Sequence, residues 1–282
     1  MAVIITGGMI GLGKSSVAEI LGNHFNSEVF YEKVDNNRVL DKFYTAPKEE
    51  IEKHRYPFLL QLEFLSSRYK SIKQALSSDN NVLDRSIYED AYFLEINWKM
   101  GRISDLERDL YLELLDNMME ELDELNYKKA PDLMVYLKGS FETVMDRINK
   151  RNRGCEQDPE LIEYFRLLWE TYDEWIYTQY KASEILVIDM DEMDVVNNPE
   201  DAKKLCEMVE MKLKEIRNNN KKPNMCVKSC MFDELDFVHV ICDGVDKDVT
   251  IFVVENNNKS SVVLRKEDAF EMFNLVRNYF KN

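Results

Sequence analysis

The chain has 282 residues, 45% of them hydrophobic and 11% aromatic, a composition too apolar for a disordered protein. Its 37 basic and 53 acidic side chains give a formal net charge of −16. That charge excludes general binding to nucleic acid or an anionic membrane, which need a basic face, but not a small anion held by a local positive site.

Val3-Ile4-Ile5-Thr6 is a β-branched apolar run stopped by glycines, so it predicts a buried strand leading into a turn. Helical composition follows from Ser15 to Leu21. Further strands are predicted at Glu28–Glu32, Asn81–Asp84, Leu133–Leu137 and Ile185–Asp189. Between them, Phe58, Leu59, Leu62, Leu65, Tyr69, Ile72 and Leu76 recur at helical spacing. Leu106, Leu110, Leu114, Met118, Leu122 and Leu125 do the same, after Ser104 and Glu107 at capping-box spacing. Strands alternating with helices predict an α/β fold: a doubly wound, five-stranded parallel sheet of the P-loop NTPase type, with helices on both faces.

The pattern changes after Lys214. Residues 217–224 are polar and end any helix at Pro223, which predicts a linker between a first domain, 1–216, and a second, 225–282. The second reads as a small α+β unit. Its strands lie at 237–241, 249–254 and 261–264, with a turn at Asp243-Gly244, an Asn-rich turn at 256–258 and a closing helix through Phe270, Phe273, Val276 and Phe280. Residues 217–282 carry 10 basic and 10 acidic side chains, so the whole surplus of acid falls in residues 1–216.

Five cysteines, an odd number in a chain able to bury its own core, argue for reduced thiols. Cys226 and Cys230, with His239 nearby, read as small buried hydrophobes in preference to a zinc site. The first residues lack a basic stretch before a long apolar run, and nothing approaches the ~18 apolar residues of a membrane span. The expectation is a soluble cytoplasmic protein.

Gly8-Met9-Ile10-Gly11-Leu12-Gly13-Lys14-Ser15 satisfies G-x-x-x-x-G-K-[ST] between a strand and a helix, with Ser16 continuing into that helix. Glycines let successive backbone N–H groups turn inward around a phosphate at the helix's positive end. Lys14 would reach the β- and γ-phosphates, and the Ser15 hydroxyl would hold Mg²⁺. The chain therefore binds a nucleoside triphosphate, ATP in our reading. No N-K-x-D stretch supports a GTPase.

Asp84 ends a strand, where ligands bind in α/β sheets, and Arg85 follows it directly. Asp84 is suited to Mg²⁺ and Arg85 to a phosphate or carboxylate. Arg147, Arg151 and Arg153 cluster in an otherwise acidic domain, as a lid closing over phosphates requires.

These residues resemble the deoxyribonucleoside kinase family, in particular its deoxyadenosine/deoxyguanosine kinase branch, over roughly residues 1–215. The resemblance is carried by Gly8–Ser15, Tyr31-Glu32-Lys33-Val34, Phe43-Tyr44, Gln61, Asp84-Arg85-Ser86-Ile87-Tyr88-Glu89-Asp90 and Arg151-Asn152-Arg153 with Glu156. It implies a magnesium-dependent, cytoplasmic ATP:deoxynucleoside 5′-phosphotransferase of nucleotide salvage. Glu32 would be the general base for the 5′-hydroxyl, although Lys33 stands where the family carries proline. Arg85 would hold Glu32 and the 5′ end, and Arg151 and Arg153 would serve catalysis from the lid. Ser15 and Asp84 would serve Mg²⁺. Tyr44 and Glu156 would hydrogen-bond the sugar 3′-hydroxyl, and Gln61 would read the base edge. Arg68 follows Gln61 by two helical turns, and its pairing with Asp90 implies deoxyadenosine first, then deoxyguanosine or deoxycytidine. Phe64 and Phe93 are the candidate stacking aromatics. The long helices resemble those of the family's four-helix dimer contact, so a homodimer is expected. Residues 217–282 have no counterpart in the resemblance, and their partner is unknown.

Two other readings compete. A nucleoside monophosphate kinase shares the loop and lid, but needs arginines where this chain offers Glu32, Tyr44 and Gln61. A non-catalytic, nucleotide-dependent interaction protein would not require Glu32 as a base.

Overall fold

The computed structural model describes residues 3–32, 37–77, 81–125, 130–151 and 159–220, and four strands at 228–233, 236–242, 248–255 and 258–265. The chain separates into two compact units, Met1–Leu213 and Lys214–Asn282.

The first unit is built on strands β1 (Val3–Gly8), β2 (Glu28–Phe30), β3 (Asn81–Asp84), β4 (Leu133–Lys138) and β5 (Glu184–Asp189). They lie in the order β2-β3-β1-β4-β5, and every pairing is parallel. Each connection is helical, as parallel pairing requires. The helices are α1 (Lys14–Phe25), α2 (Leu40–Thr45), α3 (Lys48–His54), α4 (Tyr56–Leu76), α5 (Asp90–Lys99), α6 (Asp105–Leu125), α7 (Phe141–Arg151), α8 (Pro159–Thr178) and α9 (Pro199–Asn220).

The near-continuous apolar runs place β1, β3 and β4 at the sheet's centre, where Val3, Ile5, Val82, Leu133 and Val135 are fully buried. The strand register brings Thr6 opposite Asp84 and Gly8 opposite Leu137, so the C-terminal ends of β1 and β3 open side by side. The capping box at the start of α6 forms: the Ser104 N–H donates to Glu107 at 2.8 Å, and the Glu107 N–H to Ser104 Oγ at 3.4 Å. Glu107 also accepts from Arg55 Nε at 2.7 Å, tying α6 to the junction of α3 and α4.

Several boundaries differ from expectation. Strand β2 stops at Phe30, leaving Tyr31 and Glu32 just beyond its end. Residues 217–220, expected to open the linker, continue α9, because no proline intervenes before Pro223. Beyond the end of α9, the second unit holds an antiparallel meander of β6 (Lys228–Asp233), β7 (Asp236–Cys242), β8 (Asp248–Glu255) and β9 (Asn258–Arg265), paired in sequence order. Strand β6 was not foreseen. The turn at Asp243-Gly244 and the closing helix lie outside the described residues. No helix among the described residues is long and apolar enough to cross a membrane.

Candidate active site

The loop between β1 and α1 needs backbone that only glycine adopts cheaply. Gly8 sits at φ +138°, and a Cβ there would lie 2.5 Å from the Leu137 carbonyl oxygen. Gly13 caps α1 in the left-handed region, at φ 86°. Lys14, held by the Met9 carbonyl at 2.8 Å, points back over the loop. Burial, then the neighbouring Arg85 charge, pushes its ammonium down to about 7.

Beside the loop, a cavity of about 350 Å³ opens where β1 and β3 end. Ile10, Gly11, Gly13, Lys14, Ser15 and Ser16 form its phosphate-loop side. Gly8, Met9 and Leu12 do not line it. Met9 and Leu12 turn their side chains into the core, and Gly8 serves through its backbone. Arg147 stands behind the loop and donates to the carbonyls of Leu12 (3.1 Å) and Met190 (3.0 Å).

Ser15 Oγ donates to Asp84 Oδ2 at 2.5 Å, which joins the first turn of α1 to the end of β3. The other carboxylate oxygen, Asp84 Oδ1, is buried with no hydrogen-bond partner. Burial raises the Asp84 carboxyl above its ordinary range, against the pull of Lys14 and Ser15. A buried, unpaired carboxylate oxygen beside a hydroxyl is a hard, anionic donor set, and it fits Mg²⁺.

Arg85 takes a left-handed backbone, φ 69°, directly after β3, and its N–H donates to the Thr6 carbonyl at 3.0 Å. A non-glycine residue in this region costs of order 1–3 kcal/mol and is held there by its surroundings, which is common at functional sites. Its guanidinium stands 4.7 Å above the Phe93 ring. It donates to Glu89 Oε1 at 2.7 Å and to the Gly8 carbonyl at 3.1 Å, and lies 3.7 Å from Glu32.

Glu32 faces the same cavity. Burial alone would raise its carboxyl, but Arg68, Arg85 and Lys14 outweigh burial and hold it below the usual range. Arg68 donates to both Glu32 and Asp90, and its guanidinium lies 4.7 Å from the Phe64 ring. Tyr44, Gln61, Phe64, Arg68 and Phe93 complete the wall opposite the loop. Three buried polar atoms here lack partners: Gln61 Oε1, Arg68 Nε and Asp90 Oδ2.

Thus Glu32, Tyr44, Gln61, Phe64, Arg68, Asp84, Arg85 and Phe93, foreseen from the sequence, meet the phosphate loop around one cavity, with Asp90 behind Arg68. Arg151 ends α7, but its side chain, Arg153 and Glu156 lie outside the described residues, as do Lys33 and Val34. Leu40, Phe43, Leu60 and Tyr164, which also line the cavity, were not foreseen as site residues. Nor were Glu89 and Tyr172. Ser86-x-x-Glu89 is itself a capping-box pattern, and its Glu89 half forms, the Ser86 N–H donating to Glu89 Oε2 at 3.3 Å, so the spacing held a signal for Glu89.

A family model described as deoxynucleoside kinase matches residues 4–214. A deoxyguanosine kinase of Lactobacillus johnsonii is 45% identical over 230 residues, covering 80% of this chain and 99% of that one. A deoxyadenosine kinase of Lactobacillus acidophilus is 41% identical over 219 residues, 77% of this chain and 98% of that one. The structure of deoxyadenosine kinase from M. mycoides with bound dATP superposes with a TM-score of 0.60 at 27% identity, over 75% of this chain and 99% of that one.

Proposed function

The chain belongs to the deoxynucleoside kinase family, and from that premise we propose how its residues carry the reaction. It is an ATP-dependent deoxynucleoside kinase, transferring the γ-phosphate of ATP to the 5′-hydroxyl of a deoxyribonucleoside in salvage. Such transfer demands little covalent chemistry of a protein; positioning and charge stabilisation carry it.

In our reading the loop 8–15 cradles the phosphates, with Lys14 toward the β- and γ-groups. Ser15 and Asp84 would hold Mg²⁺, which neutralises developing negative charge when bound. Glu32 accepts the proton of the 5′-hydroxyl as its oxygen attacks phosphorus, and Arg85 orients that carboxylate. The observation that carries this assignment is Glu32 itself: a carboxylate lining the cavity that the phosphate loop borders, 3.7 Å from Arg85, and held below its usual range by the surrounding cations. Arg151 and Arg153 would close on the phosphates, Arg147 would brace the loop from behind through the Leu12 and Met190 carbonyls, and Tyr44 and Glu156 would hold the sugar.

Gln61, Arg68 and Asp90 would read the base, between Phe64 and Phe93. Gln61, whose side-chain amide both donates and accepts, lines the cavity, and Gln61 Oε1, Arg68 Nε and Asp90 Oδ2 are buried without protein partners, so the group offers donors and acceptors alike to the edge of a purine. From the names of the relatives we place deoxyguanosine ahead of deoxyadenosine, with deoxycytidine third, which reverses the order of the first two expected from sequence. The relatives named deoxyguanosine kinase, at 45% and 46% identity, support that order. Incubation with ATP·Mg²⁺ and each common deoxynucleoside, with products separated by chromatography, tests it. Turnover of thymidine alone would refute it.

A homodimer through α4 and α6 is part of the same proposal. Leu106, Leu110 and Leu114 form a stripe on α6 that is 69%, 53% and 39% exposed, and Leu59 of α4 is 40% exposed. A stripe of this kind on α6, with one exposed leucine on α4, fits a partner helix pair. We likewise propose that the kinase domain ends near residue 216, within the last turns of α9, and that residues 225–282 form a separate unit with its own role.

A further inference from the structure

One group in the DRSIYED segment takes no part in the chemistry above. Glu89 is fully buried, at 0% exposure, and Tyr172 of α8 is 2% exposed beside it. The Gly8 N–H donates to Tyr172 Oη at 2.9 Å, and that hydroxyl donates in turn to Glu89 Oε1. The same Glu89 oxygen accepts from Arg85 Nη1 at 2.7 Å, and Arg85 Nη2 donates to the Gly8 carbonyl at 3.1 Å. The four residues close a ring: the Gly8 N–H and C=O are both engaged, one through Tyr172 and Glu89, the other through Arg85.

We propose that Tyr172 and Glu89 are positioning residues for phosphoryl transfer, fixing the phosphate loop relative to the guanidinium that orients Glu32. The proposal rests on the reading of Glu32 as base and Arg85 as its neighbour. Gly8 begins the loop that receives the donor, and Arg85 faces the acceptor. A ring joining them sets the distance over which the 5′-oxygen must meet phosphorus, and misplacement on the ångström scale is costly in such reactions.

Stability alone is a poor account of this arrangement. A buried ion pair contributes little net stability against apolar residues of the same volume. The rest of the pocket is aromatic: the Tyr172 ring stacks on Tyr136 at 5.4 Å and meets Tyr92 edge-on at 5.1 Å. A phenylalanine would keep both contacts. The hydroxyl's remaining work is the ring, in which it accepts once and donates once.

The test is steady-state kinetics of full-length Tyr172→Phe and Glu89→Gln with ATP·Mg²⁺ and deoxyguanosine or deoxyadenosine, beside Glu32→Gln and thermal melting. Each single variant is expected to lose tenfold or more in kcat with nucleoside KM within twofold of the parent. The double variant is expected to fall no further than the worse single one, because both break the same ring. Melting of Tyr172→Phe is expected to stay within a few degrees of the parent. A Tyr172→Phe enzyme with kcat within twofold of the parent overturns the proposal, as do losses that multiply in the double variant. Because Tyr172→Phe removes a single oxygen and keeps the ring's stacking, it decides the matter even if Glu89→Gln does not fold. If Glu32→Gln keeps full turnover, the reading of the base has failed; if Glu32→Gln is inactive and Tyr172→Phe is not impaired, the positioning proposal alone has failed.

Discussion

Arg68, which shares a helix face with Gln61 and which the family resemblance assigns to the base, also donates to Glu32, the residue proposed to deprotonate the 5′-hydroxyl. On the proposed roles, base recognition and proton abstraction share one guanidinium. Burial by itself would raise the Glu32 carboxyl, and Arg68 is the strongest of the charges that pull it down. Removing Arg68 leaves the burial effect less opposed, so the Glu32 pKa rises. Arg68→Met should move the acid limb of the kcat–pH profile to higher pH and, with Asp90→Ala, shift preference away from purine deoxynucleosides. A pH profile and a substrate panel on the same variant check both outcomes.

Lys14 carries a second pH dependence. With burial holding its ammonium down to about 7, most molecules at pH 8 carry it neutral before nucleotide arrives. Triphosphate favours the charged form, so binding at pH 8 takes up a proton, and uptake fades as pH falls below 7. Calorimetry of ATP binding in two buffers of different ionisation enthalpy should show uptake approaching one proton per site at pH 8.

Asp84 pairs with Ser15 through one carboxylate oxygen and leaves the other buried without a partner, and the proposed Mg²⁺ site rests on that pair. Asp84→Asn should cost about 100-fold in activity and raise the Mg²⁺ concentration needed for half-maximal rate. Titration of rate against Mg²⁺ measures both, and an unchanged midpoint removes Asp84 from the metal site.

Leu110 sits mid-stripe on α6, 53% exposed. A glutamate there puts an uncompensated charge into each half of the proposed two-fold contact and should turn the dimer into a monomer. Light scattering after size exclusion should give twice 33.4 kDa for the parent and 33.4 kDa for Leu110→Glu.

Local rules explain what could be read before the fold was known. The phosphate loop was legible because its backbone shape dictates glycines at fixed positions, and Gly8 and Gly13 occupy the conformations that shape needs. The parallel sheet followed from Val3–Ile5 and Leu133–Leu137, whose unbroken apolar runs mark strands buried on both faces. The α6 start followed from Ser104 and Glu107. The base-reading group was placed by helical spacing together with family resemblance. The Tyr172 contact was not legible, because it joins residues 83 positions apart from Glu89 and 164 from Gly8, and a tyrosine on an aromatic helix reads as core. Helices α2 and α3 were too short to establish a period, and β6 mixes lysine, serine and cysteine with Met231 and Phe232, so no alternation marked it.

The Arg68–Glu32 contact matters only if Glu32 takes the proton, and that assignment is tested most directly by Glu32→Gln. The parent, given ATP·Mg²⁺ and deoxyguanosine, should yield deoxyguanosine 5′-monophosphate. The variant should lose about 10²–10⁴-fold in kcat, the range typical of a lost general base, while binding ATP as the parent does. Full turnover by Glu32→Gln, with the same product, would contradict the account.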